Sequence, residues 1–274
     1  MSLEYLLVIA SLPVILLCMY IYKHDKDKEP KKLLKKIFLY GIASVIPIII
    51  LEEIVAVILP TEDNSNLIKL FIAVFVGVGL IEEGAKWVVT NKCIYNDGEF
   101  NHAYDAIVYA VFASLGFALV ENILYVLSLG AGTGVLRALI TVPSHACDGI
   151  FMGYFIGKSK QSSYNGNQKE ANIYMLLSLL VPIIAHTLFD YFILSKSNIL
   201  IVIFFIYTII MYIICFILVR KVAKIDANFD GMTLDNKLVD IKPESSTISF
   251  NYALSGMLIL SVILVIIALV ILEL

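Results

Sequence analysis

The run Ile199 to Val219, ILIVIFFIYTIIMYIICFILV, holds no charge, glycine or proline and sits between Lys196 and Arg220. At about 1.5 Å of rise per residue such a run is long enough to cross a hydrocarbon core of about 30 Å. It must do so as a helix, because hydrocarbon offers the backbone no hydrogen-bond partners. Working outward, seven more stretches have comparable length and polarity: Leu3 to Tyr22, Ile37 to Leu59, Leu67 to Thr90, Ala103 to Leu129, Gly134 to Gly157, Asn172 to Leu194 and Phe250 to Leu272. Composition agrees. Of the 274 residues 60% are hydrophobic and 16% charged, against about 45–50% and about 25% in soluble domains. The expectation is an all-α, polytopic integral membrane protein of about eight transmembrane helices, folded as a single membrane-embedded domain over residues 1–274.

Charge distribution sets an orientation and excludes other classes. Sixteen of the twenty Lys and Arg fall in the segments after spans one, three, five and seven, whereas Lys69, Arg137 and Lys196 lie on the opposite side and Lys86 lies inside a span. The positive-inside rule therefore predicts Lys-rich loops in the cytoplasm and both termini outside. Cations confined to short blocks, with a net charge of −3, leave no basic face for nucleic acid. Cys18, Cys93, Cys147 and Cys215 are far apart and form no CxxC, so neither a disulfide framework nor a thiolate metal knuckle is expected. The first stretch lacks a basic leader and a small-residue cleavage site and reads as a retained helix. The polar stretch at 221–246 reads as a flexible cytoplasmic loop.

Spans one, seven and eight carry no charge away from their ends, but spans three to six carry Glu82, Glu83, Lys86, Glu121, Arg137, His145, Asp148, His186 and Asp190. A charge at a helix centre costs roughly 2.5–3.5 kcal/mol on insertion scales, so these groups are expected to face one another or water. The predicted picture is a polar site walled by helices three to six, with a catalytic core at about 67–194. On span three Lys86 follows Glu82 by four residues and Glu83 by three, one turn away from each. Adjacent helical residues point about 100° apart, so one glutamate is expected to pair with Lys86 and the other to face the cavity. Phe117, Glu121 and Tyr125 share a face on span four. Spans five and six each place an Asp one turn after a His (His145 and Asp148, His186 and Asp190) and a proline just before it, Pro143 and Pro182. A proline frees a carbonyl and kinks a helix, which opens room.

Two imidazoles with carboxylates are the ligand set of a catalytic zinc site. His145, His186 and Glu121 are the candidate ligands. No HExxH occurs, so any such site must be assembled from separate helices. A metal-free route with a glutamate base and His residues steadying the oxyanion uses the same groups. Along the helix axes, at about 1.5 Å per residue, Glu83 is expected some 7 Å to the cytoplasmic side of the midplane and Glu121 some 7 Å to the outer side. The two are therefore not expected to touch one atom. Glu52-Glu53 on span two lacks a following Lys and reads as lying near the outer interface. Cys147 reads as a packing cysteine, Gly77, Gly79 and Gly84 as close-approach residues, and Arg137 as snorkelling to the outer interface. Intramembrane acids and imidazoles also suit a proton- or ion-coupled secondary transporter.

The ordered set Glu82-Glu83-x-x-Lys86, Phe117-x-x-x-Glu121-Asn122, His145-x-x-Asp148-Gly149 and His186-x-x-x-Asp190 resembles the PrsW family of intramembrane proteases, distantly related to the CAAX-protease and bacteriocin-processing family. Tyr20-Ile21-Tyr22-Lys23 and the Lys-rich loop ending Glu29-Pro30 are similar to that family as well. The resemblance implies a bacterial membrane metallopeptidase. It further implies site-1 cleavage of a membrane-anchored anti-sigma factor, which frees an extracytoplasmic-function sigma factor under envelope stress such as antimicrobial peptides. It makes Glu82, Glu83, Glu121, His145 and His186 the site, with Lys86, Asn122, Asp148 and Asp190 in support and Zn2+ as the implied cofactor. Glu83 is the preferred base.

Overall fold

The computed structural model describes residues 2–61, 66–225 and 229. Among these the secondary structure is helical: α1 (Leu3–His24), α2 (Lys31–Ile58), α3 (Leu67–Val74), a π-helical turn (Phe75–Gly79), α4 (Leu80–Ile94), α5 (Asp105–Leu129), α6 (Ala131–Leu139), α7 (Thr141–Tyr164), α8 (Gln168–Leu194) and α9 (Asn198–Ile225). Five helices, α1, α2, α5, α8 and α9, are long and apolar enough to cross a membrane, and they correspond to expected spans one, two, four, six and seven. Expected span three is the continuous rod formed by α3, the π turn and α4. The eighth, Phe250 to Leu272, lies outside the described residues.

Three details differ from expectation. Span five is two helices: the chain breaks at Gly130 (φ +86°) and again at Ile140 (φ −121°, ψ −62°), so a short α6 precedes α7. Pro143 then lies in the first turn of α7, where a missing N–H is tolerated, and starts the helix in place of kinking it. Pro182, by contrast, is inside α8. Third, α9 continues to Ile225, so the segment from Lys221 begins as helix; beyond it Phe229 donates its N–H to the Asn101 carbonyl and stacks on Tyr164. The remainder of the predicted 221–246 loop lies outside the described residues.

The central helix is α5, which touches α1, α2, α4, α6 and α7. Small residues let the helices close on it. Gly149, Gly153 and Gly157 form a stripe at spacing four on α7, and a Cβ on Gly153 would fall 2.4 Å from the Ala106 carbonyl oxygen of α5. On the other side Gly41 of α2 and Gly116 of α5 lie against each other's backbones in the same way. With α5 held tightly between α2 and α7, and α8 packed on α7 and α4, the polar faces of α4, α5, α7 and α8 meet in the interior. The outer faces of α1, α2 and α9 present exposed Leu, Ile, Val and Phe, the composition of a lipid-facing collar.

Candidate active site

The acidic run of α4 begins one turn after the π turn. A π turn inserts an extra residue and rotates the helix beyond it, a device often found beside functional residues. Here it brings Gly79 so close to α8 that a Cβ would meet Thr187 Oγ1 at 2.4 Å, and Thr187 is the residue after His186. Trp87 Nε1 donates to Ser178 Oγ at 2.8 Å and ties α4 to α8 further along. On α7 the His145 carbonyl accepts from Ser114 Oγ of α5 at 2.7 Å. Each functional helix is thus fixed near its functional residue.

Lys86 is fully buried at the meeting point. Its ammonium donates to Glu82 Oε2 (2.9 Å), Glu83 Oε1 (2.7 Å) and His145 Nδ1 (3.2 Å), and it lies over the Phe117 ring at 4.2 Å. Both glutamates therefore pair with Lys86, contrary to the expected division in which one pairs and the other is free; the long lysine side chain reaches the i−3 and i−4 positions at once. Glu83 Oε1 also lies 2.8 Å from His186 Nδ1.

The lysine contact fixes a tautomer. An ammonium has no lone pair to offer, so His145 Nδ1 must be the acceptor, and its proton sits on Nε2. That nitrogen is 2.8 Å from Glu121 Oε2, which accepts the proton's hydrogen bond. His186 differs: it lies between acids, with Nδ1 2.8 Å from Glu83 Oε1, where the carboxylate accepts from the ring, and Nε2 3.4 Å from Asp190 Oδ2. Both imidazoles turn Nδ1 inward and rest Nε2 on a carboxylate, the arrangement by which acids orient metal-binding histidines. The two rings are edge-on at 5.3 Å between centroids.

One donor atom from each of Glu82, Glu83, His145 and His186 lies within 4.8 Å of the other three, and all four residues are buried. Glu121, expected among the ligands, is not in this set. It stands behind His145 on Nε2, whereas Glu83 is inside the cluster and contacts Lys86 and His186 Nδ1. Asp148 on α7 is fully buried, and its Oδ2 lies 3.6 Å from His186 Nδ1. Both of its oxygens, together with Glu83 Oε2, have no hydrogen-bond partner among the described residues. Glu82, Glu83 and Asp148 against one ammonium leave two negative charges when the imidazoles are neutral. A buried surplus of that size calls for a dication or protons. Donor chemistry, spacing, orphaned oxygens and charge together fit a divalent metal ion.

Residues 29–219 match the family model of the PrsW family of intramembrane metalloproteases. The chain belongs to the PrsW family. Among curated proteins, Protease PrsW of Oceanobacillus iheyensis is 38% identical over 68% of this chain and 81% of its own length. Protease PrsW of Clostridioides difficile is 33% identical over 76% and 87%, and that of Bacillus subtilis 33% identical over 68% and 81%. No solved structure matches the chain. A PrsW-family protein is a protease, which decides between hydrolysis and the transport reading, and its apolar helices make it a multi-pass membrane protease.

Two residues of this PrsW protease were misplaced by sequence reasoning. Arg137 does not snorkel to the interface. It is buried, its Nη2 lies 2.9 Å from Glu121 Oε2, and its guanidinium covers Tyr125 at 4.0 Å. Glu52 is half-buried on α2 within electrostatic range of Glu82, Glu121, Lys86 and His186, whereas its neighbour Glu53 is exposed. The missed signal was periodic: Gly41, Val45, Ile48 and Glu52 form one stripe at spacings of three and four, the first three buried on α2. Cys147 is buried and free.

Proposed function

We propose that the protein is a zinc-dependent intramembrane endopeptidase whose active site is Glu82, Glu83, His145 and His186. The observation that carries this reading is the convergence of those four donors, from three helices, within 4.8 Å in the protein interior. Zinc bound there supplies a water of lowered pKa, roughly 7, as a nucleophile.

The protein's own groups do the rest. Glu83 takes the proton of the attacking water; its Oε2 is the carboxylate oxygen not already held by hydrogen bonds to described residues. Lys86 holds Glu82 and Glu83 in register and offers positive charge where the oxyanion develops. Glu121 keeps His145 in the tautomer that leaves Nδ1 as the inward acceptor, and Asp190 lies beside His186 Nε2 and orients that ring. Asp148 contributes charge beside His186, and Asn122 holds the neighbourhood of Glu121.

The substrate in this reading is a single-span membrane protein, whose helix must unwind before its amide is accessible. The resemblance supports an anti-sigma factor cut at site 1 under envelope stress. Lysine distribution supports cytoplasmic Lys-rich loops with both termini outside. The test is cleavage of a single-span substrate by the detergent-purified full chain. Glu83→Gln and His145→Ala are expected to abolish cleavage while leaving the melting temperature within a few degrees. Wild-type cleavage by either variant refutes the assignment.

A further inference from the structure

The short helix α6 is set between the breaks at Gly130 and Ile140 and turns Val135, Leu136 and Leu139 outward. Its one charged side chain, Arg137, points the other way and is only 9% exposed. The guanidinium makes three contacts: the ion pair to Glu121 Oε2 at 2.9 Å, a hydrogen bond from Nε to Asn122 Oδ1 at 3.1 Å, and the Tyr125 ring at 4.0 Å. Asn122 in turn donates to the Ala10 carbonyl of α1 at 2.8 Å. Glu121 Oε2 is the same oxygen that accepts from His145 Nε2. A chain of contacts therefore runs from α6 through one carboxylate to an imidazole of the active site.

We infer that Arg137 is a positioning residue of the protease, which fixes the Glu121 carboxylate so that His145 presents Nδ1 to the metal. The inference rests on His145 being a metal ligand. A carboxylate with a neutral N–H as its one fixed partner can rotate about its last torsions, and its charge near the lipid is uncompensated. Arg137 supplies the second, charged partner, and the fork of the guanidinium lets one side chain grip Glu121 and Asn122 together while its face lies on Tyr125. A lysine ammonium lacks that fork and planarity. Loss of a partner behind a ligand typically lowers metal affinity about 10–100-fold. Arg137 is one residue removed from the cluster, so its loss should lower kcat and leave KM for the substrate unchanged.

The experiment measures zinc affinity by chelator competition on the detergent-purified full chain, alongside kcat and KM for a single-span substrate and the melting temperature. Arg137→Gln is expected to lose zinc affinity by about 10–100-fold and to lose kcat with KM retained, and Arg137→Lys to fall between it and the wild type. Tyr125→Leu, which removes only the ring, should keep wild-type zinc affinity. Arg137→Gln with wild-type zinc affinity and kcat overturns the inference, as does a lowered melting temperature with zinc affinity unmoved. If Arg137→Gln fails to fold, the Arg137→Lys affinity and kcat decide: values equal to wild type overturn it. A wild type that cleaves without binding zinc removes the metal reading itself, and Arg137 then stands or falls on the kcat of the same variants.

Discussion

Lys86→Met tests the electrostatics of the site without removing any metal donor. The substitution keeps the volume and apolar stem of the lysine and deletes the ammonium that is within 2.7–3.2 Å of Glu83, Glu82 and His145. Removing one partner of a buried ion pair leaves uncompensated charge and costs about 3–5 kcal/mol; here two glutamates are abandoned, so the upper end is expected in the presence of a chelator. Zinc should narrow the difference. Without the competing cation the donors attract a dication more strongly, so the variant binds zinc more tightly than the wild type. At a free zinc concentration of about 100 times Kd, binding returns about 2.7 kcal/mol. The assay is reversible unfolding in mixed micelles, followed by Trp87 fluorescence, with chelator and with buffered zinc. A variant as stable as the wild type under chelation, or one that binds zinc no more tightly, refutes the charge argument.

Two further outcomes are expected elsewhere in the molecule. In Gly153→Val the new Cβ lies 2.4 Å from the Ala106 carbonyl oxygen and 2.5 Å from Ile107 Cα; backbone cannot swing aside, so α5 and α7 must part, at about 1–3 kcal/mol, seen as a lower melting temperature. Gly132→Ala, where no atom lies within 4 Å, is the control and should not lower it. At the loop before α2, Glu29 is buried and takes a hydrogen bond from Tyr109, and burial, with Asp105 beside it, pushes its pKa up to about 10. The folded state thus keeps a proton that the unfolded chain releases near pH 4.5, so Glu29 favours the fold fully below that pH and loses its contribution as pH rises toward about 10. Glu29→Gln should flatten this decline in a series of melting temperatures from about pH 5 to 9; an unchanged slope contradicts it.

Much of the site was legible because charge in lipid is expensive. Glu82, Glu83, Lys86, His145, Asp148 and His186 stood out as ionisable groups inside apolar runs, and that cost argument does not require knowing helix rotation. Rotation and breaks were what the pattern hid. The allotment of the two glutamates failed because it assumed one lysine serves one acid, whereas its flexible stem spans both. Arg137 was misread because its run looked like the outer end of one long span. With the chain broken at Ile140, the residue belongs to a separate short helix that folds its charge inward. Pro143 was read as a kink for the same reason. Glu121 and Glu83 were expected at different depths, but that Glu121 meets His145 Nε2 while Glu83 meets His186 Nδ1 required the ring orientations. The π turn at Phe75–Gly79 has no periodic signature; only its paired glycines hinted at it.

The central claim, that imidazoles of α7 and α8 and the Glu82 carboxylate of α4 form one metal site with Glu83 beside it as base, is tested most directly by X-ray absorption at the zinc edge on the purified full chain. The expected spectrum has nitrogen and oxygen neighbours at about 2.0–2.2 Å and no sulfur at about 2.3 Å, with imidazole scattering from two histidines that falls to one in His145→Ala. A sulfur shell, or imidazole scattering that His145→Ala and His186→Ala leave unchanged, would contradict it.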